Sequence, residues 1–247
     1  MPFSSPSTQP NDKHRTLQVL AVGDCNTWGI TDPPIGNTIL DKFCRHLEAE
    51  GCSTSSQNLG YGMATSREGV QLVRHKAQPA DVVLINFGLV DTWVTSIPKV
   101  YIPYYPDNFL RKRLRKLLKF VKRRLRSPWL RRFVSTGHVV PIKEYARNVC
   151  EMISLVRAKN PSATILLWGS PPVQNDPARN ANLESYNKRL ERIAYETNSL
   201  FLSTANLVNK LSSEAAYLDA VHLNEAATEV IAAQLASVYR TQQLAVA

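Results

Sequence analysis

LQVLAVGDCNTWG, residues 17–29, is the stretch on which the fold turns. The apolar run Leu17 to Val22 ends at Gly23-Asp24, as a buried strand does on meeting a turn. Cys25 then falls on a strand-to-helix turn, exposed at the sheet edge. Working outward, Thr38 to Glu50 predicts an amphipathic helix, with Ile39, Phe43 and Leu47 stacked four apart and Gly51 closing it. Thr54 to Leu59 is a weaker strand, and Ser66 to Lys76 is helical. Asp81 to Phe87 (DVVLINF) is the clearest buried strand, rich in β-branched residues. Further on, Pro141 to Ala158 predicts a helix with Tyr145, Val149, Ile153 and Val156 on one side. Then come a strand at Ala163 to Trp168 stopped by Gly169 and Pro171-Pro172, a helix at Asn182 to Asn198, a short strand at Leu200 to Leu202, and a final helix at Asn224 to Tyr239. Strands alternating with helices imply α/β architecture, a parallel sheet covered on both faces. Functional groups in such sheets gather at the carboxyl ends of the strands.

The 247 residues suffice for one sizeable core. The expected organisation is a flexible tail at 1–15 and a single domain at 16–247, carrying an insertion at about 98–140. Hydrophobic residues make up 44% and charged residues 20%, an ordinary globular composition that excludes wholesale disorder. No apolar run approaches the roughly 20 residues that span a bilayer. The first fifteen residues lack the apolar core of a signal peptide, which points to the cytoplasm. Four cysteines in a chain of this length do not suggest a disulfide framework. Cys44, His46 and Cys52 match no common ligand spacing, so neither metal nor cofactor is expected.

Nucleophilic acyl transfer needs an activated nucleophile, a histidine base, an acid to orient it, and donors for the oxyanion. Three places supply such parts. Cys25 follows the first strand. Asp219-Ala220-Val221-His222 precedes the last helix, and its three-residue offset lets a carboxylate reach one imidazole nitrogen while the other faces a nucleophile. Asn58 to Thr65 forms a glycine-containing turn whose amides suit an oxyanion. Each residue also has a plainer reading: Cys25 as a small apolar filler, His222 as a surface histidine, Asp91 as a turn cap.

Together these segments resemble the SGNH/GDSL hydrolase family. Gly23 to Gly29 is similar to its block I, with cysteine where the family has its nucleophilic serine, and Asp219 to Asn224 (DAVHLN) is similar to block V. Gly88-Leu89-Val90-Asp91 stands at block III, with Val90 in place of the donor asparagine. Met63 falls where block II has its donor glycine, next to Gly62. Gly169 to Pro172 resembles the turn after the family's fourth strand. The resemblance implies a three-layer α/β/α sandwich of flavodoxin-like order and an esterase or acyltransferase acting on O-acyl groups of a glycan or lipid. Cys25, His222 and Asp219 would be catalytic, with Gly62, Met63, Asp24 and Asp91 serving the oxyanion or substrate. The rival expectation is a catalytically impaired member of the same fold that binds glycan or lipid, or scaffolds an assembly at a membrane.

The net charge of +10 is local. Twelve of thirty basic residues lie between Arg111 and Arg132, and no acid occurs between Asp107 and Glu144; the rest of the chain holds 18 basic against 20 acidic residues. Projected at about 100° per residue, Leu110, Leu114, Leu117, Leu118, Val121 and Leu125 share an arc of about 100°, with the Lys and Arg residues of 110–126 on the remainder and Phe120 the misfit. Three readings compete. An in-plane helix on an anionic membrane would use Arg111, Lys112, Arg115, Lys116, Lys119, Lys122, Arg123, Arg126 and Trp129. Alternatively the apolar stripe packs on its own domain, or the segment binds nucleic acid or another polyanion. The first is carried forward: the expected partners are an acylated substrate and an anionic membrane surface approached from the cytoplasmic side, not nucleic acid.

Overall fold

The computed structural model describes residues 15–29, 37–125 and 135–246. Of the expected N-terminal tail only Arg15 belongs to them; Arg126 and Trp129 also lie outside the described residues.

The elements in chain order are β1 (Leu17–Gly23), α1 (Cys25–Trp28), α2 (Ile39–Glu48), β2 (Thr54–Gly60), α3 (Ser66–Lys76), β3 (Val82–Asn86), β4 (Val94–Ser96) and α4 (Phe109–Arg124). They continue with β5 (Thr136–His138), α5 (Ile142–Lys159), β6 (Thr164–Trp168), α6 (Pro177–Glu196), β7 (Leu200–Leu202), α7 (Ala205–Asn209), α8 (Ser213–Ala216) and α9 (Glu225–Val246). Among the described residues the central sheet has the order β2-β1-β3-β6-β7, every pair parallel. This is the expected α/β/α arrangement. Alternation along each strand divides its side chains between two cores. Leu20, Val22, Val83, Ile85, Ile165 and Leu167 face α3, α5 and α6. Val19, Ala21, Val82, Leu84, Leu166 and Trp168 face α2 and α9. Residues buried on both faces explain why β1 and β3 read as continuous apolar runs rather than alternating ones.

The register places the functional end. Gly23 pairs with both Gly60 and Asn86, so β1, β2 and β3 finish in one line. The strand order reverses between β1 and β3, which leaves a crevice at their carboxyl ends. The loops holding Cys25, Gly62 and Gly88 to Asp91 therefore start side by side.

The insertion is built on an unforeseen antiparallel hairpin, in which β4 pairs with β5 across the whole basic segment. Its two ends are tied to the turn after β3: Val139 N–H donates to the Trp93 carbonyl (2.8 Å) and Val140 N–H to the Asp91 carbonyl (3.1 Å). Glu68, buried on α3, accepts from the Tyr101 hydroxyl (2.6 Å) and the Tyr104 N–H (2.9 Å).

Helix α4 turns most of its apolar stripe outward, against the alternative in which that stripe packs on its own domain. Leu110 and Leu117 are 65% and 60% exposed, with Leu114 and Val121 exposed beside them, while Leu118 is half-buried at the cavity wall. The residue turned inward is Arg115, at 8% exposure. Arg115 donates to Asp107 and to the Pro103 carbonyl (2.7 Å), and its guanidinium lies 4.6 Å from the Tyr104 ring centroid. Asp107 is the last acid before the basic run, and the inward cation follows it. Arg115 is thereby withdrawn from the surface contact that periodicity assigned to it.

Gly69 sits inside α3, where glycine normally weakens a helix by about 1 kcal/mol relative to alanine. Here α3 approaches its neighbours too closely for a side chain: an added Cβ would lie 2.5 Å from Phe87 Cζ and 2.7 Å from the Met152 sulfur. Overpacking of this kind costs about 1–3 kcal/mol. We therefore expect Gly69→Ala to lower the urea-unfolding free energy by roughly 1 kcal/mol despite its better helix propensity; a gain in stability would refute the close approach.

Candidate active site

Three loops and one helix start converge at the crevice. Asp24, fully buried, caps α1 by accepting from Asn26 N–H (3.0 Å), and this sets Cys25 at the first helical position. The Cys25 side chain is half-buried on the cluster of Leu89, Val173 and Leu183, which Val221 also packs against. Burial pushes its thiol pKa well above the ordinary range, and the neighbouring Asp24 charge adds to the rise.

The loop before α9 folds on itself, with Tyr217 and Leu223 bridged and the Leu218 N–H donating to the His222 carbonyl (2.9 Å). Asp219 uses one carboxylate oxygen for the backbone N–H groups of Val221 and His222, both at 2.8 Å. Its other oxygen meets His222 Nδ1 at 2.6 Å. Slight burial works against the charge, but the His222 side chain and those two N–H groups outweigh it and hold the Asp219 carboxyl at about 2. His222 is thus oriented with Nε2 free of Asp219. None of the described hydrogen bonds joins this ring to the Cys25 thiol.

A residue that sequence reasoning passed over brings the two halves together. The buried Asn26 accepts from Leu223 N–H (3.2 Å) and points its amide at the Val221 carbonyl (3.5 Å). The neighbour of Cys25 thereby grips both neighbours of His222. Its only sequence signal was adjacency to the nucleophile position.

The turn after β2 is closed by Ala64 N–H donating to the Tyr61 carbonyl (3.0 Å), with Gly62 and Met63 at its centre. Met63 adopts φ 63°, in the left-handed region that favours glycine, while Gly62 does not need its freedom. The register assigned from sequence thus puts methionine at the glycine-like position. Among the described residues neither the Gly62 nor the Met63 N–H has a hydrogen-bond partner. Cys25 N–H, at a helix start, has no acceptor inside the helix either.

Val90 is buried and brings no side-chain donor. Asp91 does not face the crevice as a substrate residue should. It is fully buried, with both carboxylate oxygens on Ser66 N–H (3.0 and 3.3 Å) and one on Ser66 Oγ (2.6 Å), at the start of α3. It anchors the start of α3, which is neither the substrate role nor the cap of its own turn. Burial pushes the carboxyls of Asp24 and Asp91 up to about 7 each, against hydrogen bonds that lower them.

Arg179 was also missed, because α6 begins at Pro177 rather than near Asn182. Asp176 followed by Pro177, a cap residue and a proline at the first helical position, was the available signal. Arg179 donates to the Leu89 carbonyl (3.0 Å) and stacks 5.1 Å from the Trp93 ring centroid. Burial lowers its guanidinium pKa, and it is near enough to feel Asp176, Cys25 and Asp24. A cavity of about 770 Å³ opens beside it, bordered by Met63 and Val90 and walled by α4. Among the described residues no three His, Cys, Asp or Glu side chains converge as a metal site.

The model of the GDSL-like lipase/acylhydrolase family matches residues 21–230. A lipase/acylhydrolase from Enterococcus faecalis superposes with a TM-score of 0.63 at 15% identity, over 92% of this chain and 97% of that one. An acetylxylan esterase from Geobacillus stearothermophilus gives a TM-score of 0.60 at 23% identity, over 90% and 94%. At these identities the likeness shows the fold. None of the curated proteins compared matches the sequence.

The buried acids generate a pH prediction. Unfolded aspartates titrate near 3.8 and these two near 7, so the folded state binds their protons more tightly. Their contribution to stability is greatest below about pH 4 and is lost as pH rises towards 7, whereas that of Asp219 is full above about pH 4 and is lost only as pH falls towards 2. Asp24→Asn keeps an acceptor for Asn26 N–H and removes one titration. Its urea-unfolding free energy relative to the parent should increase from pH 4.5 to pH 7.5; a constant difference across that window would sink the assignment.

Proposed function

The chain belongs to the GDSL-like lipase/acylhydrolase family, and on that premise we propose that it is an esterase or acyltransferase working on O-acyl groups of a glycan or lipid through Cys25, His222 and Asp219. The observation that carries this reading is the hydrogen-bonded Asp219–His222 pair, held by Asn26 against the turn that bears Cys25. The thiol is not ionised at rest, so proton removal accompanies attack. His222 takes the thiol proton on Nε2 as the sulfur bonds to the ester carbonyl carbon. The N–H groups of Cys25 and of the Gly62–Met63 turn receive the oxyanion. Collapse breaks the ester C–O bond, and His222 returns the proton to the leaving oxygen. Water or an acceptor hydroxyl, deprotonated by His222, then releases the acyl group from sulfur and restores the thiol.

Two observations favour a second reading. With the thiol pushed up and no side-chain donor at Val90, the same site would bind its acylated ligand, or scaffold an assembly at a membrane, without turnover. Hydrolysis of p-nitrophenyl acetate separates the two. Cys25→Ala should drop turnover by about 10⁴-fold or more, to background, while Cys25→Ser stays active. Full activity in Cys25→Ala would overturn the mechanism, and activity in Cys25→Ser alone would establish the second reading.

The same proposal includes attachment to an anionic lipid surface. Among the described residues no helix is long and apolar enough to cross a membrane. Support for attachment comes from α4, whose outward stripe of Leu110, Leu114, Leu117 and Val121 is flanked by exposed cations and by Phe109 and Phe120. The protein should sediment with phosphatidylglycerol vesicles but not with phosphatidylcholine vesicles, and high salt should release it. Leu114→Gln with Leu117→Gln should weaken binding without unfolding, since both side chains are exposed. Equal binding to both lipids would refute this part.

A further inference from the structure

Some of the cations of α4 border a cavity against the domain, although among them only Arg115 is buried. Arg115, Lys119, Lys122 and Arg123 line the cavity from the α4 side, and Arg179 from the opposite side. Against these five cations the described lining holds one acid, Asp176. Arg115 is matched by Asp107, but neither Lys119 nor Arg123 has a carboxylate partner among the described residues. Holding like charges around one space is unfavourable unless an anion offsets them, and a partly apolar cleft strengthens their joint field. The cavity also has apolar walls at Trp93, Ile102 and Val139. Its volume suits an organic ligand rather than a few waters.

Position ties this space to the chemistry. Cys25 and His222 are not on its walls, yet Met63 and Val90, at two of the loops beside Cys25, are. Arg179 reaches both regions, lining the cavity while bonded to the Leu89 carbonyl next to Cys25. We propose that the cavity binds the phosphate of a phosphate-bearing acyl ester, so that Lys119, Lys122, Arg123 and Arg179 hold the phosphate while the ester carbonyl reaches Cys25. Placing the ester at Cys25 rests on the esterase reading; the phosphate site itself does not. The phosphate belongs either to a soluble phosphorylated glycan or to a lipid headgroup.

The test is equilibrium binding to the Cys25→Ala protein, which needs no turnover. Calorimetry with glucose 1-phosphate and sedimentation with phosphatidic acid vesicles are compared in two backgrounds. Lys119→Ala/Arg123→Ala removes two cavity cations; Arg113→Ala/Arg124→Ala removes two exposed cations that do not line the cavity. Saturable binding of glucose 1-phosphate, weakened about tenfold or more only by the cavity pair, supports the proposal with a soluble ligand. Vesicle binding with that same selectivity, without glucose 1-phosphate binding, supports it with a lipid ligand. Binding of neither, or equal losses in both backgrounds, overturns it. If phosphate binds while the parent protein hydrolyses no ester, the esterase reading falls and the phosphate site stands.

Discussion

Asn26 makes the contact on which the arrangement of the site depends. Its side chain joins α1 to the loop before α9 across 197 residues, by accepting from Leu223 N–H. Leu223 is buried, so that N–H has no water to turn to if the acceptor is lost. The sheet supplies the rest of the constraint. Gly23, Gly60 and Asn86 end their strands in one line, and the order reverses between β1 and β3. Any side chain placed just past those ends meets its counterparts from the other loops. The loop before α9 follows no sheet strand at that edge; Asn26 draws it towards α1, while Gln174 N–H on the Ala220 carbonyl and the Tyr217 hydroxyl on the Pro172 carbonyl hold it to the turn after β6.

The insertion obeys a different balance. A helix with leucines on one side would ordinarily bury them, at roughly 25 cal/mol per Å² of apolar surface removed from water. Helix α4 instead buries an arginine. Arg115 is acceptable inside because Asp107, the Pro103 carbonyl and the Tyr104 ring together replace its water. Once Arg115 is fixed, helical geometry carries Lys119 and Lys122 towards the same side and Leu110, Leu114, Leu117 and Val121 to the other. The exposed leucine stripe and the cationic cavity wall are therefore two consequences of one anchor. This is why the lipid-surface and phosphate proposals concern opposite faces of a single helix.

Much of the fold was legible because its signals are local. Asp81 to Phe87 is short, β-branched and bounded by polar residues, and it became β3 within a residue at each end. Asp219 and His222 were legible because three residues on a turn suffice to join a carboxylate to an imidazole. What stayed hidden is non-local. Val94–Ser96 and Thr136–His138 are too short to announce a strand, and they pair only because the intervening segment returns. Periodicity located the leucine stripe of α4 but carries no information about which side faces the domain. Asp91 stood at the expected place after β3, yet its burial beneath α3 was set by Ser66, twenty-five positions away.

The electrostatics of the crevice follow from these placements. Asp24 and Asp91 are buried and pushed up to about 7, so each is only partly ionised near neutral pH. Asp219, exposed and supplied with three donors, stays ionised through the physiological range. It is therefore the carboxylate able to stabilise a protonated His222. The thiol lies in the apolar part of the crevice, beside Leu89 and Val173, where its ionised form is disfavoured. In the proposed mechanism the proton must then leave sulfur during attack and not before it. Arg179 is the cation that touches this region, through the Leu89 carbonyl, and it also belongs to the cavity wall. An anion entering beside Arg179 would draw its positive field away from Cys25 and leave the thiol no easier to ionise. The burden of activation then falls on His222 and, through it, on the loop that Asn26 holds.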